Sequence, residues 1–413
     1  MGRSFGGVNA TEKHRAARLP ILRACRDFAL FRQFGRESVL ICADWLPRKA
    51  ILARYRRALR KAGFFAMNSK LLVLLLFILS SATVCRPQDL NGWTDSYVKA
   101  LAPAKHFSGI IVAERDGKTL IEKSYGWAVE EWRIPNTSDT EFEIASLSKQ
   151  FTAAAILQLV DTGKLNVEDS VSKYYVESPP SWRGMTIHHL LTHTSGLPED
   201  EWENFFKGKC APYTTAEQVK TFRDRPLGFP PGSAWKYRNT EYYLLAYIIE
   251  KISGEAYPAY LAHHILEPLG MTRSGFATMT AIVPKMAEGY SQDGDRRVRR
   301  EYFDRSMETG AGGIYTTGED LLKWNKALDA PGILSAHSLG LMFTAHPPGN
   351  YGYGWFVETS PRRKEYHEGG DPGFAAFEAR YPDQRVVIIV LANDDDSPVR
   401  DIANAIAKHL FGD

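Results

Sequence analysis

The sequence predicts an α+β fold: one mixed domain whose sheet is assembled from both chain ends and encloses a mostly helical insertion. Three observations predict it. Strand signals cluster near residues 108–126 and again at 353–392, helical spacing fills residues 147–345, and Val399–Leu410 reads as an amphipathic helix. At the first end, residues 108–114 and 119–126 flank Asp116-Gly117, a dipeptide that suits the positive φ angles of a two-residue hairpin turn. In the middle, the apolar run Phe151–Val160, closed by Gly163, predicts a buried helix, and a second helix is expected over Tyr242–Ile252 after the rigid Pro230-Pro231-Gly232 turn. Residues 353–359, 373–381 and 385–392 give three further strands, with Pro382-Asp383 turning between the last two. The sheet part is expected at about 90–145 and 346–413, the helical part at about 147–345, with no internal repeat.

Of 413 residues, 44% are hydrophobic and 24% charged, enough for one or two full cores and unlike a disordered chain. The net charge of +3 averages two different segments. Residues 1–66 carry 15 Lys/Arg against 4 Asp/Glu, whereas residues 67–413 carry 36 against 44, a net of −8. A body of that sign does not attract phosphate backbones, so nucleic acid is not an expected partner. Met67-Asn68-Ser69-Lys70, the apolar run Leu71–Leu79 and Ser80-Ser81-Ala82 have the layout of a secretory signal peptide over 67–82. The run is shorter than the roughly 20 residues of a membrane span, so membrane contact is expected only in transit, with an extracytoplasmic mature protein. Residues 1–66 are then a basic extension, mis-called upstream or disordered, and 83–413 the folded body. The competing readings are a signal anchor with a basic cytoplasmic tail and, less well matched, lipidation at Cys85.

Of the four cysteines, Cys25 and Cys42 fall in the extension and Cys85 at the processing site, leaving Cys210 alone in the body and no internal disulfide. No CxxC or HExxH spacing occurs, and His188, His189, His263 and His264 lack ligand spacing, so neither a metal nor an organic cofactor is expected. Within residues 83–413 the GxSxG and GxGxxG signatures are also missing, and Gly313–Gly318 has P-loop spacing without its Lys.

Three motifs remain. SxxK occurs four times, at Ser96/Lys99, Ser146/Lys149, Ser170/Lys173 and Ser233/Lys236, but only Ser146 opens a buried helix. There Lys149 shares its helix face, and the helix N-terminus favours the oxyanion that serine attack creates. Tyr237-Arg238-Asn239 is the only YxN; a nearby ammonium such as Lys149 is expected to lower the Tyr237 pKa. His367-Glu368-Gly369 is the only HxG, followed by Gly370, and glycines on a strand let a ligand approach the backbone. Taken singly, each admits a structural explanation: Ser146 as an N-cap with Lys149 reaching solvent, Asn239 capping the next helix over a packed Tyr237, Gly369-Gly370 as a bend beside His367.

Together and in this order, the motifs resemble those of the serine β-lactamase and penicillin-binding protein superfamily, in its class C β-lactamase, D-alanyl-D-alanine carboxypeptidase and carboxylesterase branch. The resemblance spans about residues 93–410 and includes Leu190–Leu197, Pro231-Gly232 and Gly312–Leu321. It implies an antiparallel sheet flanked by N- and C-terminal helices beside a helical subdomain. It also implies a serine hydrolase with Ser146 as the acylated nucleophile, Lys149 and Tyr237 as the proton-transfer pair, and Asn239, His367, Gly369 and Gly370 binding substrate. The main-chain N–H groups of Ser146 and Gly370 would form the oxyanion hole. His367 and Glu368 depart from the family's Lys-Thr-Gly strand, which shifts the expected substrate from β-lactams and peptide carboxylates toward esters and D-amino-acid amides. The partner is a small-molecule or peptide substrate. The alternative is a non-catalytic relative that binds cell-wall peptide or builds assemblies. The basic run Arg296–Arg300 is expected on a solvated loop.

Overall fold

The structure, a computed structural model, describes residues 89–101, 106–199, 212–278, 280–294 and 296–412, all within the unit Cys85–Asp413. The extension, the signal segment, Cys85, Cys210 and residues 200–211 lie outside the described residues.

Helix α1 (Leu90–Leu101) leads to the hairpin β1 (Gly109–Arg115) and β2 (Lys118–Tyr125), then to the short strands β3 (Trp127–Val129), β4 (Ile134–Pro135) and β5 (Phe142–Glu143). A 3-10 turn, Ala145–Leu147, opens α2 (Ser148–Asp161), followed by α3 (Ile187–Leu191), α4 (Thr215–Arg223), α5 (Asn239–Ser253) and α6 (Tyr257–Leu261). Strands β6 (Gly275–Phe276), β7 (Tyr290–Asp293), β8 (Arg296–Arg299) and β9 (Ile314–Thr316) precede α7 (Gly318–Ala327) and α8 (Ala336–Met342). The chain then runs through β10 (Phe356–Glu358), β11 (Lys364–Asp371), β12 (Phe374–Tyr381) and β13 (Val386–Ala392) into α9 (Val399–Phe411).

The main sheet has the order β10-β11-β12-β13-β1-β2 and is antiparallel throughout. Its two halves come from opposite chain ends and join where β1 pairs β13, from Gly109 opposite Ala392 to Arg115 opposite Val386. The β1–β2 turn has φ of 55° at Asp116 and 71° at Gly117, the positive pair that matches the twist of a hairpin. Side-chain alternation builds a core on each face. Ile110, Val112, Ile389 and Leu391 face the helical body, whereas Ile111, Ala113, Ile388 and Val390 face α1 and α9. Buried on both sides, β13 reads as a continuous apolar run.

Helix α2 is buried along nearly its whole length, as its apolar residues on every face require. Gln150 fixes it between sheet and helices: its Nε2 donates to Glu378 Oε2 at 2.8 Å on β12, and its Oε1 accepts from Trp324 Nε1 at 2.8 Å on α7.

Two elements differ from expectation. The segment His367–Asp371 lies inside a full strand, β11, although Gly369-Gly370 weakens strand propensity; pairing with β12 along one edge and the close approach of Gly369 to the Ser146 turn override it. The run Arg296–Arg300 forms a hairpin with β7 and is held by acids rather than by solvent: Arg297 pairs with Glu130 at 2.9 Å, and Arg300 with Glu143 at 2.7 Å.

Candidate active site

Ser146 lies in the 3-10 turn ahead of α2. The residue before it, Ala145, has φ 47°, a left-handed conformation that costs an L-residue on the order of 1–2 kcal/mol. Strand β11 braces this turn. A Cβ on Gly369 would lie 2.3 Å from Ile144 O and 3.1 Å from Ser146 N, so only glycine allows the strand to pass so close to Ser146. Because β10 pairs only with Lys364–Tyr366, the edge of β11 from His367 onward has no strand beside it and runs past the Ser146 turn.

Lys149 follows one turn later and is fully buried. Its Nζ lies 2.9 Å from each of three oxygens: Ser146 Oγ, Asn239 Oδ1 and Ala311 O. The chemistry of these three is unequal. An amide oxygen and a carbonyl oxygen can only accept, so two N–H bonds of Lys149 are committed to Asn239 and Ala311. The third contact is the one that can change: as an ammonium Lys149 donates to Ser146, and as an amine it offers its lone pair to the Ser146 hydroxyl. Asn239 sits at the first turn of α5, with its amide orientation set by Lys149. Ala311 belongs to the loop 310–313, where Gly310 has φ 94° and a Cβ would meet Tyr242 O at 2.3 Å.

The aromatic ring of Tyr237 has Lys149 Nζ 4.9 Å from its centroid. Its hydroxyl is enclosed and makes no close hydrogen bond among the described residues. The expected lowering of its pKa is reversed. Burial, which penalises the phenolate, holds the group well above its ordinary range, with Ser146 acting in the opposite direction. Tyr237 is thus a proton-bearing phenol in the resting site.

His367 occupies the wall beside Tyr237, ring centroids 5.9 Å apart, with both nitrogens engaged by the protein. Nδ1 lies 2.6 Å from Glu368 O, an obligate acceptor, so Nδ1 carries the proton and Nε2 accepts from the Tyr351 hydroxyl at 2.9 Å. Burial pushes its pKa down to about 3, aided by Lys149, so the ring is neutral. Glu368 points to the opposite face of β11 and pairs with Arg400 of α9 at 2.6 Å, away from the Ser146 turn. Gly370 has open space where a Cβ would stand. The structure therefore brings Ser146, Lys149, Asn239, Tyr237 and Gly369 together, and places His367 in a buried supporting contact.

The other SxxK pairs have local roles: Ser170 caps a 3-10 turn, Ser96 bonds back to Gly92 O within α1, and Ser233 bonds to Pro230 O. His263 and His264 pair with Glu255. Among the described residues, no group of three or more His, Cys, Asp or Glu side chains could hold a metal ion.

One charged group near the site gave no signal in the sequence. Beyond Gly369 on β11, Asp371 faces Glu308, and Arg305 pairs with Glu308 at 3.1 Å and also with Glu143. Burial raises both carboxyls, Glu308 to about 7, and Glu308 further opposes ionisation of Asp371, whereas the hydrogen bond from Asp371 acts on Glu308 in the opposite direction. A carboxyl whose folded-state pKa is raised stabilises the fold fully below its unfolded pKa, here near 4.5, and loses that contribution as pH rises through 7. The melting temperature is accordingly expected to fall between pH 5 and pH 8, by a stability loss on the order of 3 kcal/mol. Glu308→Gln should flatten that slope in thermal melts across pH.

An antiparallel sheet with a buried SxxK helix beside its open edge, and a Tyr-x-Asn segment facing both, defines a serine acyl-transfer enzyme. The sequence matches the Beta-lactamase family over residues 94–412, and the chain belongs to that family of serine hydrolases. Penicillin-binding protein 4* of Bacillus subtilis (strain 168) is 32% identical over 341 residues, covering 76% of this chain and 74% of that protein. Among solved structures, the octameric penicillin-binding protein homologue from Pyrococcus abyssi matches at 30% identity and TM-score 0.70, over 78% of this chain and 77% of that one. The penicillin binding protein from Bacillus halodurans matches at 29% identity and TM-score 0.69, over 76% and 99%. The α+β fold and the superfamily are as the sequence predicts.

Proposed function

We propose that this protein is an extracytoplasmic serine hydrolase that cleaves an ester or amide bond through an acyl-enzyme at Ser146. The observation that carries the reading is the triple contact of Lys149, whose one variable bond is directed at Ser146 Oγ. In the acylation step, Oγ bonds to the substrate carbonyl carbon while its proton passes to the Lys149/Tyr237 pair. The carbonyl oxygen becomes the oxyanion, bound by the main-chain N–H groups of Ser146 and Gly370. Collapse expels the leaving group, which takes a proton from the same pair, and water then releases the acyl group by the reverse sequence. Asn239 and the open edge of β11 hold the acyl chain. A neutral His367 and an outward Glu368 offer no cation of their own to a substrate carboxylate, which favours esters and D-amino-acid amides over penicillins. Extracytoplasmic location rests on the signal segment at 67–82 and the penicillin-binding relatives; among the described residues no helix is long and apolar enough to cross a membrane.

The test is labelling with a fluorophosphonate and with penicillin, followed by mass spectrometry of the adduct. A fluorophosphonate adduct on Ser146, lost in Ser146→Ala together with ester hydrolysis, is the expected result. Binding of D-peptides without turnover, with no adduct, would instead favour a peptide-binding module.

A further inference from the structure

The segment that carries Tyr237 is held from both sides by one residue. The main-chain N–H of Lys236 donates to His193 O at 3.0 Å, and that of Arg238 donates to His193 Nδ1 at 3.3 Å. Tyr237 lies between them, with its ring centroid 4.4 Å from that of His193, and Tyr351 lies on the imidazole at 4.6 Å. The backbone of His193 is in the left-handed region, φ 60°, which turns its carbonyl and its ring toward the same stretch of chain. The rest of the segment continues the pairing: Gly232 N donates to Thr194 O at 2.7 Å and Gly228 N to Gly196 O at 2.8 Å. A Cβ on Gly196 would lie 2.0 Å from Phe229 O, so the two chains approach as closely as backbone permits.

Glu241, two residues after Asn239, holds the imidazole in turn. Its Oε2 makes a short contact with His193 Nδ1, and its Oε1 accepts from Ser195 Oγ at 2.6 Å. Both His193 and Glu241 are fully buried. The contacts of Nδ1 favour one placement of the proton, with the imidazole N–H on Nε2, which has no hydrogen-bond partner among the described residues. Arg238 N–H can only donate, so Nδ1 presents its lone pair, and the hydrogen between Nδ1 and Oε2 belongs to Glu241 as a carboxylic acid. An uncharged pair is also what burial demands, since it pushes the imidazole pKa down and the carboxyl pKa up.

We infer that His193, set by Glu241, is a positioning residue for the reaction: it fixes the phenol of Tyr237 and, through the same turn, Asn239 relative to Ser146. The inference rests on the reading of Ser146 as nucleophile. Neither residue touches substrate. Their contribution is to remove the freedom of the segment 236–239, and misplacing a proton-transfer group by about 1 Å costs on the order of 10²-fold in rate.

The decisive variants are Glu241→Gln, Glu241→Leu and His193→Gly, compared by pre-steady-state release of p-nitrophenol from an activated ester. Glutamine reproduces a carboxylic acid, donating to Nδ1 and accepting from Ser195, and should keep the acylation rate near wild type. Leucine has nearly the same size without the hydrogen bonds and should lower it about 10²-fold, with KM little changed. Glycine is at home at φ 60°, so His193→Gly should fold, acylate about 10²-fold more slowly, and recover part of that rate when imidazole is added. Equal rates for Glu241→Gln and Glu241→Leu, or a His193→Gly enzyme acylated at the wild-type rate, would overturn the inference. Absence of an adduct on Ser146 in the wild-type enzyme would instead remove the reading it rests on.

Discussion

Lys149→Met is expected to slow acylation of Ser146 by ~10²–10⁴-fold, the range over which a positioned proton-transfer group acts. Methionine fills the same buried tunnel, so the helix should keep its place, but Asn239 Oδ1 and Ala311 O both lose the donor 2.9 Å away. Each buried acceptor left unpaired costs roughly 1–3 kcal/mol, offset in part because a buried amine is gone as well. The variant should therefore fold but melt below the wild type, while its pre-steady-state burst with a chromogenic ester all but disappears. A burst at the wild-type rate would show that the Ser146 proton leaves by another route.

The second large effect is expected from Gly369→Ala. The added methyl would stand 2.3 Å from Ile144 O and 3.1 Å from Ser146 N, and neither is a flexible side-chain end that can swing aside. Strand and turn must separate, which shifts Ser146, the proposed nucleophile, and the N–H groups beside it together, and a shift of about 1 Å costs on the order of 10²-fold. The control is Gly340→Ala in α8, where a methyl meets nothing within 4 Å and alanine should raise helix stability by about 1 kcal/mol. Steady-state kinetics of both variants with one ester checks the pair; equal kcat would mean that the close approach of β11 has no part in catalysis.

The two-ended sheet was legible because its signals are local: Asp116-Gly117 dictates a turn, and Val386–Ala392 is apolar enough to be buried on both faces. Ser146 and Lys149 were legible because a spacing of three residues at the opening of a helix brings side chains together. Strand β11 was legible only in part: its glycines were placed on a strand but also admitted a bend, and they are kept extended by β12 and by the Ser146 turn, which is distant in sequence. Ala311 contributes a carbonyl and Ala145 a backbone angle, neither of which has a residue-type signature, although the glycines at 310, 312 and 313 mark a loop where chain must pass close to chain. The direction of the Tyr237 shift failed for a different reason: charge was visible in the sequence, whereas dehydration is a property of the packed site.

The joining of β1 to β13 has a consequence for the order of assembly. Residues 109–115 can form their hairpin once residues 118–125 are made, but their other neighbour is 386–392, which appears far later in the chain. Until then β12 has no partner on that side, and the core between sheet and α9 does not exist. Pairing over so long a stretch of chain is slow to find and closes the domain in one late event. A growing chain thus stays threadable until residues 386–392 have been made, and loss of β13 and α9 should leave no partly working enzyme.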